Sequence, residues 1–276
     1  MDTQNWIIQP GDTQTITIDR VASLKLGLLG GQVDVIAHDE PGARIEVHSV
    51  TGKALNIKAI GESLEVDHPQ IRWDNFLEVF GSFPGRARVD MSILVPRSLA
   101  LTMGTVSASG LVSGVRSNAR ISTVSGELIL DGLTGALTIE SVSGNVSIRN
   151  HEGQITAESV TGEVLCTGRL SSFSAESVSG GVFLDLAGTP DSITTNTVSG
   201  NTTVRLDEGV SARLHINSVS GKVQYGDQLV TGVRGVGHSA HLGPAGSSPT
   251  SITVNSVSGG VSIMHRTSAQ KQEFAP

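Results

Sequence analysis

The sequence predicts an all-β protein, a single-stranded parallel β-helix (β-solenoid) with short strands and glycine corners. Three observations predict it. A tetrapeptide of the form Ser/Thr-Val-Ser/Thr-Gly recurs along the chain, ending at Gly126, Gly144, Gly162, Gly180, Gly200, Gly221 and Gly259. Its glycines advance by 18, 18, 18, 20, 21 and 38 residues, a period of solenoid length with insertions. Between the copies, apolar residues recur every second position and are rich in Val and Ile, which is the period of strands rather than helices.

Each repeat holds two strand segments. Seven and five residues before the glycine stand pairs such as Leu137/Ile139, Phe173/Ala175 and Ile252/Val254. Two and four residues after it stand pairs such as Val146/Ile148, Val164/Cys166 and Val261/Ile263. Each pair points to one face of its strand. The valine of the tetrapeptide falls out of phase with the preceding pair. The expectation is that a bend or bulge turns it inward, and that the glycine is a permissive corner with positive φ. A single repeat cannot bury its own apolar face, so the stack is the stable object. Right-handed winding is expected by analogy with most parallel β-helices.

In chain order, residues 1–100 read as an irregular N-terminal β region continuous with the solenoid. Its strand signals are Ile7-Ile8, Thr15–Ile18, Leu24–Leu29, Gln32–His38, Arg44–Val47 and Leu64–Val66, and Ser49-Val50-Thr51-Gly52 is a copy of the tetrapeptide. Residues 67–88 interrupt the pattern with an aromatic-rich excursion containing Trp73, Phe76, Phe80 and Phe83. It reads either as a plug for one end or side of the stack or as a partner surface. Alternation resumes at Ala87–Val95 and ends at Pro96. Residues 101–265 are the regular solenoid, opened by Thr105-Val106-Ser107-Ala108, a degenerate copy 18 residues before Thr123-Val124-Ser125-Gly126. Residues 226–250 are an insertion read as an irregular rung plus a loop. The last rung covers about 251–264, and 266–276 is a polar tail.

Composition narrows the functional classes. Glycine is 33 of 276 residues and aromatics are 3 %, which fits a narrow core of small branched side chains. A net charge of −7 with no basic stripe argues against nucleic-acid binding. The lone Cys166 excludes an intrachain disulfide and occupies an apolar ladder position, so a buried, inert thiol is expected. Met1–Trp6 lacks the basic and apolar regions of a secretory leader, and no apolar run reaches membrane-spanning length. As written, the chain reads as cytoplasmic with no integral membrane segment. Trimmed of a leader, a cell-surface protein would read the same.

Glu140, Glu158 and Glu176 share one register in three successive repeats, so they are expected to form a column about one strand spacing (~4.8 Å) apart. Like charges at that spacing repel and raise carboxyl pKa values unless solvent or a cation intervenes. Asn196, Asn217 and Asn255 continue the register without charge. The column reads as a solvated acidic stripe, and no calcium-loop motif accompanies it. His238 and His241 stand three apart in the insertion and read as loop-surface residues, without a third ligand nearby. The repeated serines lack the base and orienting group a nucleophile needs. Asp39-Glu40, Asp185 and Asp207-Glu208 are acids a glycosidase would require, but no spacing pairs them. No phosphate-binding glycine loop is present.

Taken together, the Ser-Val-Ser-Gly units, the glutamates before them and His48-Ser49-Val50-Thr51-Gly52 resemble the bacterial β-strand-repeat proteins of the DUF4097 type, also labelled adhesins. The resemblance covers roughly residues 20–265. It implies a parallel β-solenoid, and it carries no catalytic residues over. The expected role is therefore a noncatalytic scaffold or interaction protein with a protein or glycan partner, no cofactor and no metal, and able to form homo-oligomers. The two alternatives are a carbohydrate-active β-helix enzyme using grouped Asp/Glu and a self-assembling structural protein. Candidate surface residues are Trp73, Phe76, Phe80, Phe83, Glu140, Glu158, Glu176, His238 and His241.

Overall fold

Strand is the only regular secondary structure among the described residues of the computed structural model, which are 3–68, 87–230, 237–244 and 249–266. The chain divides into two compact units, Met1–Val146 and Ser147–Pro276.

The first unit contains β1 (Thr3–Ile8), β2 (Gln14–Ile18), β3 (Ser23–His38), β4 (Ala43–Thr51), β5 (Leu55–Ile60), β6 (Ser63–Asp67), β7 (Arg88–Pro96), β8 (Ala100–Ser113), β9 (Ala119–Thr123), β10 (Leu128–Asp131) and β11 (Thr134–Ser141). The long strands β3 and β8 each serve two ladders, the first half of each strand in one and the second half in the other. One ladder runs β1–β5–β6–β3–β8–β9–β11. The other runs β2–β4–β7–β3–β8–β10. In both, the strands at one edge (β1–β5–β6 and β2–β4–β7) pair antiparallel and the rest pair parallel, out to β9–β11 and β8–β10. The irregular N-terminal segments are thus antiparallel strands, of which only β5–β6 is a hairpin, laid against a parallel stack.

The second unit contains β12 (Val146–Ser159), β13 (Val164–Ser177), β14 (Val182–Leu186), β15 (Ser192–Thr197), β16 (Thr202–Leu206), β17 (Ala212–Ser218), β18 (Val223–Tyr225), β19 (Gln228–Val230), β20 (His238–Leu242), β21 (Thr250–Ser256) and β22 (Val261–His265). One ladder runs β13–β15–β21–β17–β20 and the other β13–β14–β16–β22–β18–β19. All pairs are parallel except the outermost, β17–β20 and β18–β19. The insertion is therefore not an extra parallel rung. Its described strands β19 and β20 run antiparallel along the outer edge. The last rung, β21–β22, does not follow β17–β18 in space but lies between them and β15–β16.

The core follows the predicted alternation. Leu137, Ile139, Phe173, Ala175, Ile193, Ile216, Ile252 and Val254 before the corners are buried, as are Leu130, Ile148, Cys166, Leu184, Val204 and Ile263 after them. Tyr225 departs from the pattern and is only half-buried. Burial of aliphatic side chains in such ladders supplies the main favourable term, about 25 cal/mol per Å² of apolar surface removed from water.

The corners differ from expectation in three ways. First, the tetrapeptide valine points outward: Val160, Val178, Val198, Val219 and Val257 are exposed, with Val178 at 50 %. Strict alternation simply continues through the first Ser/Thr, so no bulge is needed. Thr123, Ser141, Ser159, Ser177, Thr197, Ser218 and Ser256 are the buried members instead. A hydroxyl is tolerated there because it bonds locally. Ser141, Ser159 and Ser177 donate to the carbonyls of Gly144, Gly162 and Gly180 at 2.6, 2.8 and 2.9 Å.

Second, the repeat glycines from 126 onward do not adopt positive φ. They are needed for close approach. A Cβ on Gly180 would sit 2.0 Å from the Gly162 carbonyl oxygen, and one on Gly200 2.0 Å from that of Gly180. The obstacle is neighbouring backbone, which cannot swing aside.

Third, Ser49-Val50-Thr51-Gly52 matches the tetrapeptide in sequence only. It ends the antiparallel strand β4, Val50 is 1 % exposed, and Gly52 has a φ of 82°. The register of β4 against β7 shifts between Val47 and Ser49, placing His48 in a bulge. The segment Leu28-Leu29-Gly30-Gly31 is the one that stacks on a corner, although Leu29 is buried and Gly31 has a φ of 107°. It pairs in register with Thr105–Ala108, and Ser107 Oγ donates to the Leu29 carbonyl at 2.8 Å.

Candidate functional site

The stacked corners of the second unit build a ridge. The backbone N–H groups of Val178, Val198, Val257 and Val219 donate hydrogen bonds to the carbonyls of Ser159 (3.2 Å), Ser177 (3.2 Å), Thr197 (3.2 Å) and Ser256 (3.1 Å). The exposed valines therefore follow one another in the order 160, 178, 198, 257, 219. Beside them runs a row of hydroxyls. Ser179, Ser199, Ser258 and Ser220 each donate to the carbonyl of the preceding valine, at 3.4, 3.3, 3.3 and 3.3 Å. Those hydroxyls close the carbonyls of the ridge.

On the outer face of the adjoining ladder, strand register brings Glu176, Asn196, Asn255 and Asn217 into one column. Asn217 Nδ2 donates to Asn255 Oδ1 at 2.7 Å and Asn255 Nδ2 to Asn196 Oδ1 at 2.8 Å. Asn196 Nδ2 points to Glu176 Oε1 at 3.5 Å. Three amides thus align head to tail and end on a carboxylate. Such a chain is polarised along its length and holds its side chains in one rotamer set. Glu158 and Glu176 are both exposed. Glu140 belongs to the first unit, where it accepts from Arg120 and from Ser122 Oγ at 3.1 Å. It is a paired surface carboxylate there.

His238 and His241 do not form a pair. Both lie on β20, and three residues along a strand reverses the side. His238 stands opposite Ile216, and its Nε2 lies 3.0 Å from Tyr225 Oη. His241 stands opposite Arg213 and is exposed. Trp73, Phe76, Phe80 and Phe83 lie outside the described residues. Among the described residues no group of three or more His, Cys, Asp or Glu is placed to hold a metal ion.

Sequence spacing missed two features. One is the spatial order of the asparagines, which is not their chain order. The other is an ion-pair cluster. Arg266 Nε donates to Asp185 Oδ1 at 2.6 Å and Arg266 Nη1 to Asp207 Oδ1 at 2.8 Å. Arg205 approaches Asp185 at 3.6 Å while lying 5.5 Å from the Phe183 ring centroid. The second oxygen of Asp207 accepts the Gly188 amide at 2.8 Å. The acids 185 and 207 are thus engaged in tying the last rung to its neighbours. Cys166 is fully buried, and burial pushes its thiol up to about 12, so it is neither a nucleophile nor a metal ligand at neutral pH.

Two ladders of in-register strands with repeated corners define an all-β protein of tandem sheet units. The family model described as Toastrack DUF4097 matches residues 31–264, and the chain belongs to that family. The chain is similar to a solved structure of a putative adhesin from Parabacteroides distasonis, with 10 % identity, 94 % of this chain and 99 % of that chain covered, and a TM-score of 0.49. It is similar as well to a putative lipid binding protein from the same organism, with 13 % identity, 94 % and 99 % covered, and a TM-score of 0.49. A putative adhesin from Bacteroides fragilis shows 12 % identity, 94 % and 100 % covered, and a TM-score of 0.46. No curated protein matches the chain. Among the described residues, no helix is long and apolar enough to cross a membrane.

Proposed function

We propose that this chain is a noncatalytic, adhesin-like interaction protein whose parallel ladders wind as a right-handed β-solenoid. The parallel register of successive rungs supports the winding, and right-handed crossover between parallel strands is the general rule. The observation that carries the functional reading is the column Glu176–Asn196–Asn255–Asn217. It is a preorganised row of amide and carboxylate groups on an outer sheet face, spaced by the strand repeat. Preorganised polar rows lower the ordering cost of binding a regular polymer or an extended partner. A glycan with repeating hydroxyls, or a protein strand, is the class of partner such a row suits. The engagement of Asp185 and Asp207 by Arg266 favours this reading over a glycoside-cleaving one.

The test is a glycan array of neutral and acidic oligosaccharides probed with the full chain and with an Asn196→Ala/Asn255→Ala variant. Retention of a glycan by the native chain, lost in the variant at unchanged thermal stability, is expected. New reducing ends released from a retained glycan would overturn the noncatalytic assignment. Equal retention by both proteins would overturn the column as the site.

A further inference from the structure

The rung β21–β22 occupies its place out of chain order. Only five residues, 207–211, connect β16 to β17, yet these neighbours in sequence are separated in space by β21–β22. The 24 residues 226–249 lead from β18 to β21. On folding in chain order, β17–β18 is the next rung available to β15–β16, so the last rung must enter between them.

The slot it enters is a generic one. Val257 N donates to Thr197 O at 3.2 Å and Ser258 N to Val198 O at 2.8 Å. These are the bonds that consecutive rungs make elsewhere, as Val198 to Ser177 (3.2 Å) and Ser199 to Val178 (2.9 Å). On the other side Val219 N and Ser220 N bond to Ser256 and Val257 at 3.1 and 2.9 Å. The glycine contact repeats too, since a Cβ on Gly259 would lie 1.9 Å from Gly200 O and one on Gly221 2.0 Å from Gly259 O. What distinguishes the native occupant is the polar closure at its ends: Thr250 Oγ1 to Pro190 O at 2.7 Å, His265 Nε2 at 2.8 Å from Val210 O, and Arg266 on Asp185 and Asp207.

We infer that the space between β15–β16 and β17–β18 is a rung-accepting slot, and that a second copy of this chain can fill it with its own residues 250–266. Every contact of the slot is the same whether the rung comes from its own chain or from another. The balance is then set by the effective concentration at which the connection, held by β19 on β18 and β20 on β17, presents the tethered rung to its own slot. The native chain fills its own slot at low concentration. Folding at high concentration captures the exchanged form, because reopening requires withdrawal of Ile252, Val254, Val261 and Ile263 from the core. The inference does not depend on what the outer face binds.

The register supplies the test. Thr194 and Thr253 are opposed across β15 and β21. Two full chains, each in a Cys166→Ala background, carry Thr194→Cys in one and Thr253→Cys in the other. They are unfolded, mixed, refolded and then oxidised. A covalent heterodimer joined at 194 and 253, with a yield rising with concentration during refolding, is expected. A chain carrying both substitutions closes its own disulfide and serves as the positive control. No heterodimer at any concentration, while that control closes, would overturn the proposal. An equal yield from the pair Ser174→Cys and Thr253→Cys would overturn it as well, because β13 does not adjoin β21.

Discussion

The Ser256 hydroxyl lies between the two backbone groups of Gly259, 2.9 Å from its amide nitrogen and 3.2 Å from its carbonyl oxygen, in a buried corner. The same ring closes at Thr123 and Gly126 with distances of 3.2 and 3.3 Å. The hydroxyl satisfies polar groups that the turn would otherwise leave buried and unmet. Ser256→Ala is expected to cost about 1–3 kcal/mol, whereas Val257→Ser on the exposed ridge should fall within about 0.5 kcal/mol of the native chain. Urea unfolding of both variants decides the matter; the opposite ranking would mean that the valine, not the hydroxyl, holds the corner.

The corner glycines should be intolerant of any side chain for a reason unrelated to backbone conformation. Gly200→Ala places a methyl 2.0 Å from the Gly180 carbonyl oxygen, and a loss on the order of 4 kcal/mol or failure to fold is expected. Gly209, with a φ of 85° and nothing near its missing Cβ, should lose only about 1 kcal/mol as Gly209→Ala. Thermal melts of the two variants side by side check the contrast.

Cys166 links stability to alkaline pH. Its thiol has an ordinary value of 9.0 and is pushed up to about 12 by burial. The folded chain therefore holds its proton where the unfolded chain has lost it. Stability contributed by the neutral thiol is complete below pH 9 and is lost as pH rises towards 12. Cys166→Ala should flatten that alkaline limb in denaturant titrations. A thiol reagent at pH 8 should leave the native chain unlabelled and modify one group after unfolding.

Asp67 is expected to oppose folding at neutral pH. Burial at the end of β6 raises its carboxyl pKa above the ordinary value of 3.8, with a hydrogen bond from Asn56 partly countering the effect. A raised folded value means that the favourable contribution is present below 3.8 and lost at higher pH. Asp67→Asn should therefore melt higher than the native chain at pH 7 and at an equal temperature near pH 3. A variant that melts lower at pH 7 would show that the carboxylate is held by contacts stronger than its desolvation.

Arg266 ties the last rung to Asp185 and Asp207, and Asp185 is itself nearly buried. Arg266→Met should cost about 2 kcal/mol, chiefly by leaving Asp185 short of its closest partner. Asp185→Asn in the same chain should recover part of that loss. A double-mutant cycle measures the coupling, and additive effects would dismiss the clamp.

Strand positions and inward residues were legible in the sequence because alternation is local. A residue two places along a strand shares its neighbour's side whatever lies next to it, so Leu137, Ile139, Phe173, Ile252 and Ile263 could be placed in the core from spacing alone. The register that sets Glu176 opposite Asn196 was legible for the same reason, and so was the family, whose mark is the repeated corner. The corner's own contents were not. A serine reads as an outward residue and a valine as an inward one until the hydroxyl is seen bonded to the glycine three places on.

What the sequence determined by itself is a set of near-equivalent rungs, each with two apolar strand faces and one narrow corner. Only the tertiary structure decided how the rungs are ordered and which copies of the motif are corners. Ser49–Gly52 and Ser159–Gly162 are alike as tetrapeptides, yet the first ends an antiparallel strand and the second supports a stacked rung. Chain order places Asn217 before Asn255, and space places Asn255 between Asn196 and Asn217. The physical reason is the equivalence itself. When every rung offers its neighbours the same bonds, local sequence cannot specify which two will meet, and the choice passes to the connections and to end contacts such as Arg266 with Asp185.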